Sequence, residues 1–195
     1  MDHEGDEQHR RRMTRLKEAH EAQLAKATRE KGLILVHTGA GKGKSSAAFG
    51  LVARALGQGM RVGIIQFIKG AIATGEAAFF GQLGPQVTMK TLGEGFTWDT
   101  QDRRLDIDTA QLGWQEAVAM LRDPTYDLVV LDELNIVLHY NYLPLGDVLD
   151  ELRRKREMLH VVITGRNARP ELIELADLVT EMKLIKHPYR SGVMP

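Results

Sequence analysis

The sequence predicts an α/β domain: a mostly parallel central sheet with helices on both faces. Two observations carry that expectation. Short apolar runs rich in β-branched residues recur with little polar alternation, which is how strands buried on both faces read. Helical stretches lie between them, so strand and helix alternate across short turns. At 195 residues and 21.8 kDa, with 43% hydrophobic residues, the length argues for one domain with a real core.

The first stretch differs from the rest. Residues 1–31 are dense in charge and carry the basic cluster Arg10-Arg11-Arg12. Met13, Leu16, His20, Leu24 and Ala27 recur at steps of three or four, one stripe of a helix. The segment predicts a helix with a frayed start; the alternative for its beginning is a solvated tail. His3, His9 and His20 have the spacing and setting of exposed residues rather than of a metal cluster. The chain therefore divides at Gly32, into an N-terminal segment over 1–31 and the α/β domain over 32–195.

From Gly32 onward the texture changes. Strands are predicted at Leu33–Val36, Val62–Ile68, Leu128–Leu131 and Val161–Ile163, and more weakly at Val87–Leu92 and Leu178–Ile185. A helix is predicted over Lys44–Leu56, ending at Gly57 as a C′ glycine. A second runs over Thr109–Arg122 after Asp108 as N-cap, stopping before Pro124. Two more, Pro144–Met158 and Pro170–Ala176, open with proline in the first turn.

Composition excludes several classes. Lys and Arg number 26 against 26 Asp and Glu, so no generic basic footprint for nucleic acid is present. No apolar run approaches the ~18–20 residues of a membrane span, and the N-terminus lacks the apolar core of a secretory signal. Cysteine is absent, which removes disulfides, thiolate metal sites, iron–sulfur clusters and a thiol nucleophile. The cytoplasm is the expected compartment.

The strongest local signal is Thr38-Gly39-Ala40-Gly41-Lys42-Gly43-Lys44-Ser45-Ser46, between a predicted strand and a predicted helix. That is the context of a phosphate-binding P-loop. Glycines let successive N–H groups turn into one concavity, and the helix N-terminus behind adds partial positive charge. Lys44 would reach phosphate oxygens, and Ser45 would offer its hydroxyl to Mg2+. The loop is one residue shorter than usual: only three residues separate Gly39 from Gly43, and Lys42 lies inside it. A second element is Tyr126-Asp127-Leu128-Val129-Val130-Leu131-Asp132-Glu133, an apolar strand ending in two carboxylates. Those carboxylates are expected to face the phosphate loop of a neighbouring strand, with Asp132 or Glu133 approaching the metal. Together these residues point to a magnesium–nucleoside triphosphate protein. They do not say which bond breaks.

Further stretches supply that. From about Gly32 to Val193 the chain resembles the P-loop type of ATP:corrinoid adenosyltransferase. The resemblance rests on the loop just described, Gln66-Phe67-Ile68-Lys69-Gly70, Gly93-Glu94-Gly95-Phe96-Thr97-Trp98-Asp99, Leu131-Asp132-Glu133-Leu134-Asn135, Tyr142-Leu143-Pro144-Leu145, Ile163-Thr164-Gly165-Arg166-Asn167 and Lys186-His187-Pro188. It implies a RecA-like P-loop fold and a homodimer. It implies transfer of the 5′-deoxyadenosyl group of ATP to a Co(I) corrinoid (cobalamin, cobinamide or cobyrinic acid a,c-diamide), with release of tripolyphosphate. A flavin reductase is implied as electron donor, and Mg2+ as the ion, with Mn2+ an alternative.

By position, the resemblance implies that Thr38 to Ser46 hold the triphosphate in reversed orientation. Lys42, Lys44 and Glu133 act at the reaction, and Ser45 with Glu133, beside Asp132, hold the metal. Phe96 and Trp98 are implied to close the lower face of the corrin, with Arg54 and His187 as further nucleotide residues. Residues 10–31 are implied to lie over the partner's site.

The chain departs from the family pattern where Ser45-Ser46 replaces Thr-Thr, where Ala40 replaces Asn, and where it ends at Met194-Pro195 without the usual tail. Weaker closure of the nucleotide site is the expectation. Two other readings stay open on the residues alone: a P-loop ATPase or kinase with Glu133 as base, and a non-catalytic corrinoid- or nucleotide-binding protein.

Overall fold

The computed structural model describes residues 3–68, 74–92 and 102–192. Chain contacts divide it into two compact units, Met1–Lys31 and Gly32–Pro195. The first holds helix α1, His3–Leu24, 22 residues long. Its local supports are i,i+4 pairs, Arg11 to Glu7 at 2.6 Å and Lys17 to Glu21 at 3.7 Å.

The second unit is a six-stranded sheet in which every pairing is parallel. The strands are β1 (Ile34–Thr38), β2 (Val62–Gln66), β3 (Val87–Thr91), β4 (Leu128–Asp132), β5 (His160–Thr164) and β6 (Leu178–Glu181). Their spatial order is β3-β2-β4-β5-β1-β6. The helices are α2 (Lys44–Gly57), α3 (Gly75–Gly81), α4 (Arg103–Arg122), α5 (Leu134–His139), α6 (Leu145–Arg153) and α7 (Pro170–Leu175).

Alternation along the strands builds two cores. Ile65, Val129, Leu131, Val161 and Ile163 meet side chains of α4, α5, α6 and α7 on one face, including Met120, Leu138, Leu152 and Leu172. Ile64, Val130 and Val162 point to the other face and meet Phe49 and Val52 of α2 and Phe80 of α3. Central strands β2 and β4 are buried at every residue, which is why they read as unbroken apolar runs. The expected α/β class, parallel sheet and two-faced helix packing are all present.

Several boundaries move, each for a local reason. Helix α4 starts at Arg103, six residues before the expected Thr109. The cap is Asp102, whose Oδ1 accepts from the N–H of Arg104 at 2.9 Å and Leu105 at 3.2 Å. Its fully buried residues begin only at Ala110, and the two apolar residues before it, Leu105 and Ile107, stand two apart rather than at a helical step. Helix α6 is shorter than the expected Pro144–Met158, with Pro144 as its N-cap.

The left-handed glycine after α2 is Gly59 (φ 78°), not Gly57. Gly59 N–H donates to Leu56 O at 2.9 Å and Met60 N–H to Ala55 O at 3.1 Å, a Schellman closure. Strand β2 ends at Gln66 rather than Ile68, and β6 at Glu181 rather than Ile185. Helices α3 and α5 are short elements additional to the predicted ones. Contrary to expectation, β1 and β4 are not neighbours, because β5 lies between them and pairs with both.

Candidate active site

The C-terminal ends of β1, β4 and β5 meet at one cleft of about 680 Å³. Residues Lys42 to Ser46 form one wall; Glu133, Ile136 and Tyr140 face it from the start and end of α5, with Arg166 and Asn167 after β5. A volume of this order takes a nucleotide-sized ligand.

The glycine loop is bent by two left-handed residues, Gly39 (φ 95°) and Gly43 (φ 103°). Its inner side is pinned to the chain leaving β6. Gly41 N–H donates to Met182 O at 2.6 Å, and Met182 N–H donates to Thr38 O at 2.8 Å. A Cβ on Gly39 would come within 2.5 Å of Met182 O, and one on Gly41 within 2.7 Å. These two glycines are thus required by backbone approach, and the Gly41 N–H is spent inside the protein rather than offered to a ligand.

Lys44 opens α2 and is 8% exposed. Its Nζ donates to Gly39 O at 2.9 Å and Gly41 O at 2.6 Å, so the side chain curls back into its own loop. Burial pulls its pKa below the ordinary lysine value. The Glu133 carboxylate opposes that, while Arg166 and Lys42 add to it. An arriving polyanion would reverse the balance, because it compensates the burial and the two neighbouring cations together.

The acidic wall separates into two roles. Asp132 is fully buried, and both its oxygens are held: Oδ2 accepts from Gln66 Nε2 at 3.0 Å and Oδ1 from the Thr164 hydroxyl at 2.6 Å. Glu133 lines the cleft in a left-handed conformation, φ 64°. Gly165 (φ 125°) makes room for it: a Cβ there would stand 3.2 Å from Glu133 Oε2 and 2.9 Å from Asn135 Cβ.

The structure brings Lys42, Gly43, Lys44, Ser45, Ser46 and Glu133 to one cleft. Thr38, Gly39, Ala40 and Gly41 form the back of the loop instead. The Thr38 hydroxyl accepts from Ala168 N–H at 3.1 Å. Arg54 is not among the residues lining the cleft: it is exposed in the last turn of α2, ten residues on from Lys44 and roughly 15 Å along the axis. His187, half-buried after β6, is not among the lining residues either. Phe96 and Trp98 lie outside the described residues.

Sequence reasoning missed Arg166, Asn167, Ile136 and Tyr140 as cleft residues. The Gly165-Arg166-Asn167 turn was the available signal, with two left-handed residues straight after a buried strand. Tyr140 stacks on buried Tyr142 at 5.6 Å, and the Tyr142 hydroxyl donates to Asp106 Oδ2 at 3.3 Å.

Fold and site together define a class: a parallel α/β protein with a lysine-bearing glycine loop facing an acidic strand end across a nucleotide-sized cleft. Within that class, the chain belongs to the ATP:corrinoid adenosyltransferase family, whose model, described as ATP:corrinoid adenosyltransferase BtuR/CobO/CobP, matches residues 30–195. A corrinoid adenosyltransferase of Pseudomonas aeruginosa is 54% identical over 190 residues, covering 97% of this chain and 94% of that protein. One of a Sinorhizobium species is 50% identical over 190 residues, 96% of this chain and 89% of that protein. The corrinoid adenosyltransferase CobA of Salmonella typhimurium is 42% identical over 188 residues, covering 96% of this chain and 95% of that protein. The family is one of enzymes, with ATP and a corrinoid as substrates by its name.

Proposed function

We propose that this protein transfers the 5′-deoxyadenosyl group of ATP to the cobalt of a Co(I) corrinoid and releases tripolyphosphate. The observation that carries the reading is the shortened Gly39–Ser46 loop. It presents Lys42 and Lys44 to the same cleft as Glu133, in a chain of this family. The Co(I) substrate is itself the nucleophile, so no protein base is needed to activate it. The cobalt–carbon bond forms at C5′ of the ribose as the C5′–O5′ bond breaks, and the electron pair leaves with the triphosphate.

Charge then builds on the departing chain. Lys42, Lys44 and Arg166 are the cations at hand, and groups already in place when charge develops stabilise it most. Burial keeps Lys44 short of solvent, which strengthens its attraction for phosphate.

Ser45 and Glu133 supply two hard oxygens on one cleft, a donor set that fits Mg2+, which takes few protein ligands and completes its shell with phosphate and water. Bound there, the ion would neutralise part of the triphosphate charge. Asp132 fits less well as a direct ligand, since both its oxygens are engaged. Phe96 and Trp98 are assigned the lower face of the corrin, where apolar groups would favour loss of the axial ligand and ease reduction of cobalt. Arg54 and His187 stay assigned to the nucleotide by the resemblance alone. The same reading makes the protein a cytoplasmic homodimer fed by a flavin reductase.

The test is product identity. Incubating the protein with Mg-ATP and chemically reduced cobalamin should yield tripolyphosphate and a light-sensitive cobalt–carbon bond in equal amounts. ADP and phosphate as the stoichiometric products would reject the reading in favour of an ordinary ATPase or kinase. Tight binding of adenosylcobalamin without turnover would reject it in favour of a carrier.

A further inference from the structure

Four polar side chains form one hydrogen-bonded chain across the C-terminal edge of the sheet. Thr91 on β3 donates its hydroxyl to Gln66 Oε1 at 3.2 Å, and Gln66 on β2 donates Nε2 to Asp132 Oδ2 at 3.0 Å. From the far side, Thr164 on β5 donates its hydroxyl to Asp132 Oδ1 at 2.6 Å and accepts the Glu133 N–H at 2.9 Å. Gln66, Asp132 and Thr164 are completely buried.

The direction of every bond follows from the chemistry. Both carboxylate oxygens of Asp132 accept, and Gln66 turns its NH2 toward Asp132 and its carbonyl toward Thr91. Thr164 spends its proton on Asp132 and has only lone pairs left for Glu133. Its hydroxyl is therefore locked as the acceptor of the Glu133 N–H. That matters because Glu133 sits at φ 64°. A non-glycine residue holds this conformation when its surroundings determine it from several sides. Here those sides are the Thr164 hydroxyl, the Ile136 N–H donating to Glu133 O at 3.1 Å, and the space left by Gly165.

We propose that Thr164, anchored by Asp132 and Gln66, is a positioning residue that fixes the backbone of Glu133 and so aims its carboxylate into the cleft for the metal–nucleotide complex. The inference rests on reading the cleft as a magnesium–ATP site. It gives Asp132 the role of buried anchor rather than ligand. It also gives β5, the strand between the loop strand and the acidic strand, a part in binding that its apolar sequence does not announce.

Thr164→Val removes both bonds while nearly keeping the shape; Thr164→Ser keeps the hydroxyl. ATP affinity of the full chain is measured by calorimetry with Mg2+ and again with EDTA. Losing a buried hydrogen-bond partner predicts that Thr164→Val binds Mg-ATP roughly tenfold more weakly. Metal-free ATP binding should change less than about twofold, and Thr164→Ser should stay within about threefold of wild type with Mg2+. Gln66→Met, one bond further away, should give a smaller loss of the same magnesium-selective kind.

Wild-type Mg-ATP affinity in Thr164→Val would overturn the proposal. So would equal loss with and without Mg2+, which marks a merely structural role. Should Thr164→Val fail to fold, Gln66→Met decides, and unchanged magnesium dependence there overturns it. A wild-type chain that binds no Mg-ATP would instead refute the underlying reading of the cleft.

Discussion

The glycine loop owes its shape to Met182, which holds Thr38 and Gly41 by hydrogen bonds and crowds Gly39 and Gly41. Gly39, Gly43, Lys44, Ser45 and Glu133 stand out by type and spacing, and the structure gathers Gly43 to Ser45 and Glu133 at one cleft. What spacing cannot convey is how a neighbouring strand spends their polar groups. The Gly41 N–H and the crowding at Gly39 and Gly41 depend on Met182, more than 140 positions on in the chain. Gly41→Ala should therefore damage the loop through Met182 rather than through lost phosphate contact. The expected outcome is a lowered melting temperature even without nucleotide. Unchanged melting with weakened ATP binding would contradict it.

Lys44 yields two expectations. Lys44→Ala should cut turnover by about 10²–10³-fold, the usual cost of losing one group that stabilises developing charge. The second concerns pH. Burial lowers the Lys44 pKa in the free protein, so its ammonium loses its proton at a pH below the ordinary value of 10.5. A bound polyanion favours the charged form and raises that pKa again. ATP affinity should fall as pH rises through the lowered value, and binding between that value and the raised one should take up a proton. Calorimetry in two buffers of different ionisation enthalpy reads the uptake directly.

At the scale of elements, apolar period and cap chemistry located the long pieces, and short or polar pieces escaped. Helix α5 has 6 residues and α3 has 7, too few turns for a 3.6-residue period to be counted. The first turns of α4 escaped because Leu105 and Ile107 stand two apart, a spacing that gives no helical step, and full burial begins only at Ala110. Their cap gives a direct check: Asp102→Ala should cost about 0.5–2 kcal/mol in urea denaturation, by removing the acceptor of two orphan N–H groups. The opposite end of α4 is tied to α6 by Arg122, which grips Glu151 through two bonds of 2.7 Å. That hydrogen bonding holds the Glu151 pKa below its ordinary value, so this clamp stabilises at neutral pH and weakens as pH falls through the lowered value.

His160, at the start of β5, behaves differently in acid. Burial lowers its pKa, the Lys155 charge adds to that, and Asp127 opposes it. The neutral ring accepts the Leu33 N–H at Nδ1, 3.2 Å away. Unfolded histidine titrates near 6.5. The unfolded chain therefore binds more protons between that pH and the lowered folded value. Stability should be full above pH 6.5 and decline as pH drops through the window. His160→Asn keeps an acceptor without the titration, and its stability curve should lose that part of the acid slope. An unchanged slope would assign the loss to other groups.

For the whole molecule, the alternation of buried strands with helices was enough to place the chain in the parallel α/β class. Strand order was not legible, because apolar runs such as Val129–Leu131 and Val161–Ile163 pair equally well on paper with several partners. The order β3-β2-β4-β5-β1-β6 puts β5 between the glycine loop's strand and the acidic strand. The cleft thereby gains Arg166 and Asn167, and Thr164 comes to lie beside Asp132 and the Glu133 N–H.

In the proposed reaction carbon, not phosphorus, is attacked. ATP carrying 18O in the bridge between C5′ and the α-phosphate, given to the protein with Mg2+ and reduced cobalamin, locates the broken bond. The label should appear wholly in tripolyphosphate, because C5′–O5′ cleavage leaves that oxygen with phosphorus. Label retained on the nucleoside product, with phosphorus–oxygen cleavage elsewhere in the chain, would contradict the account.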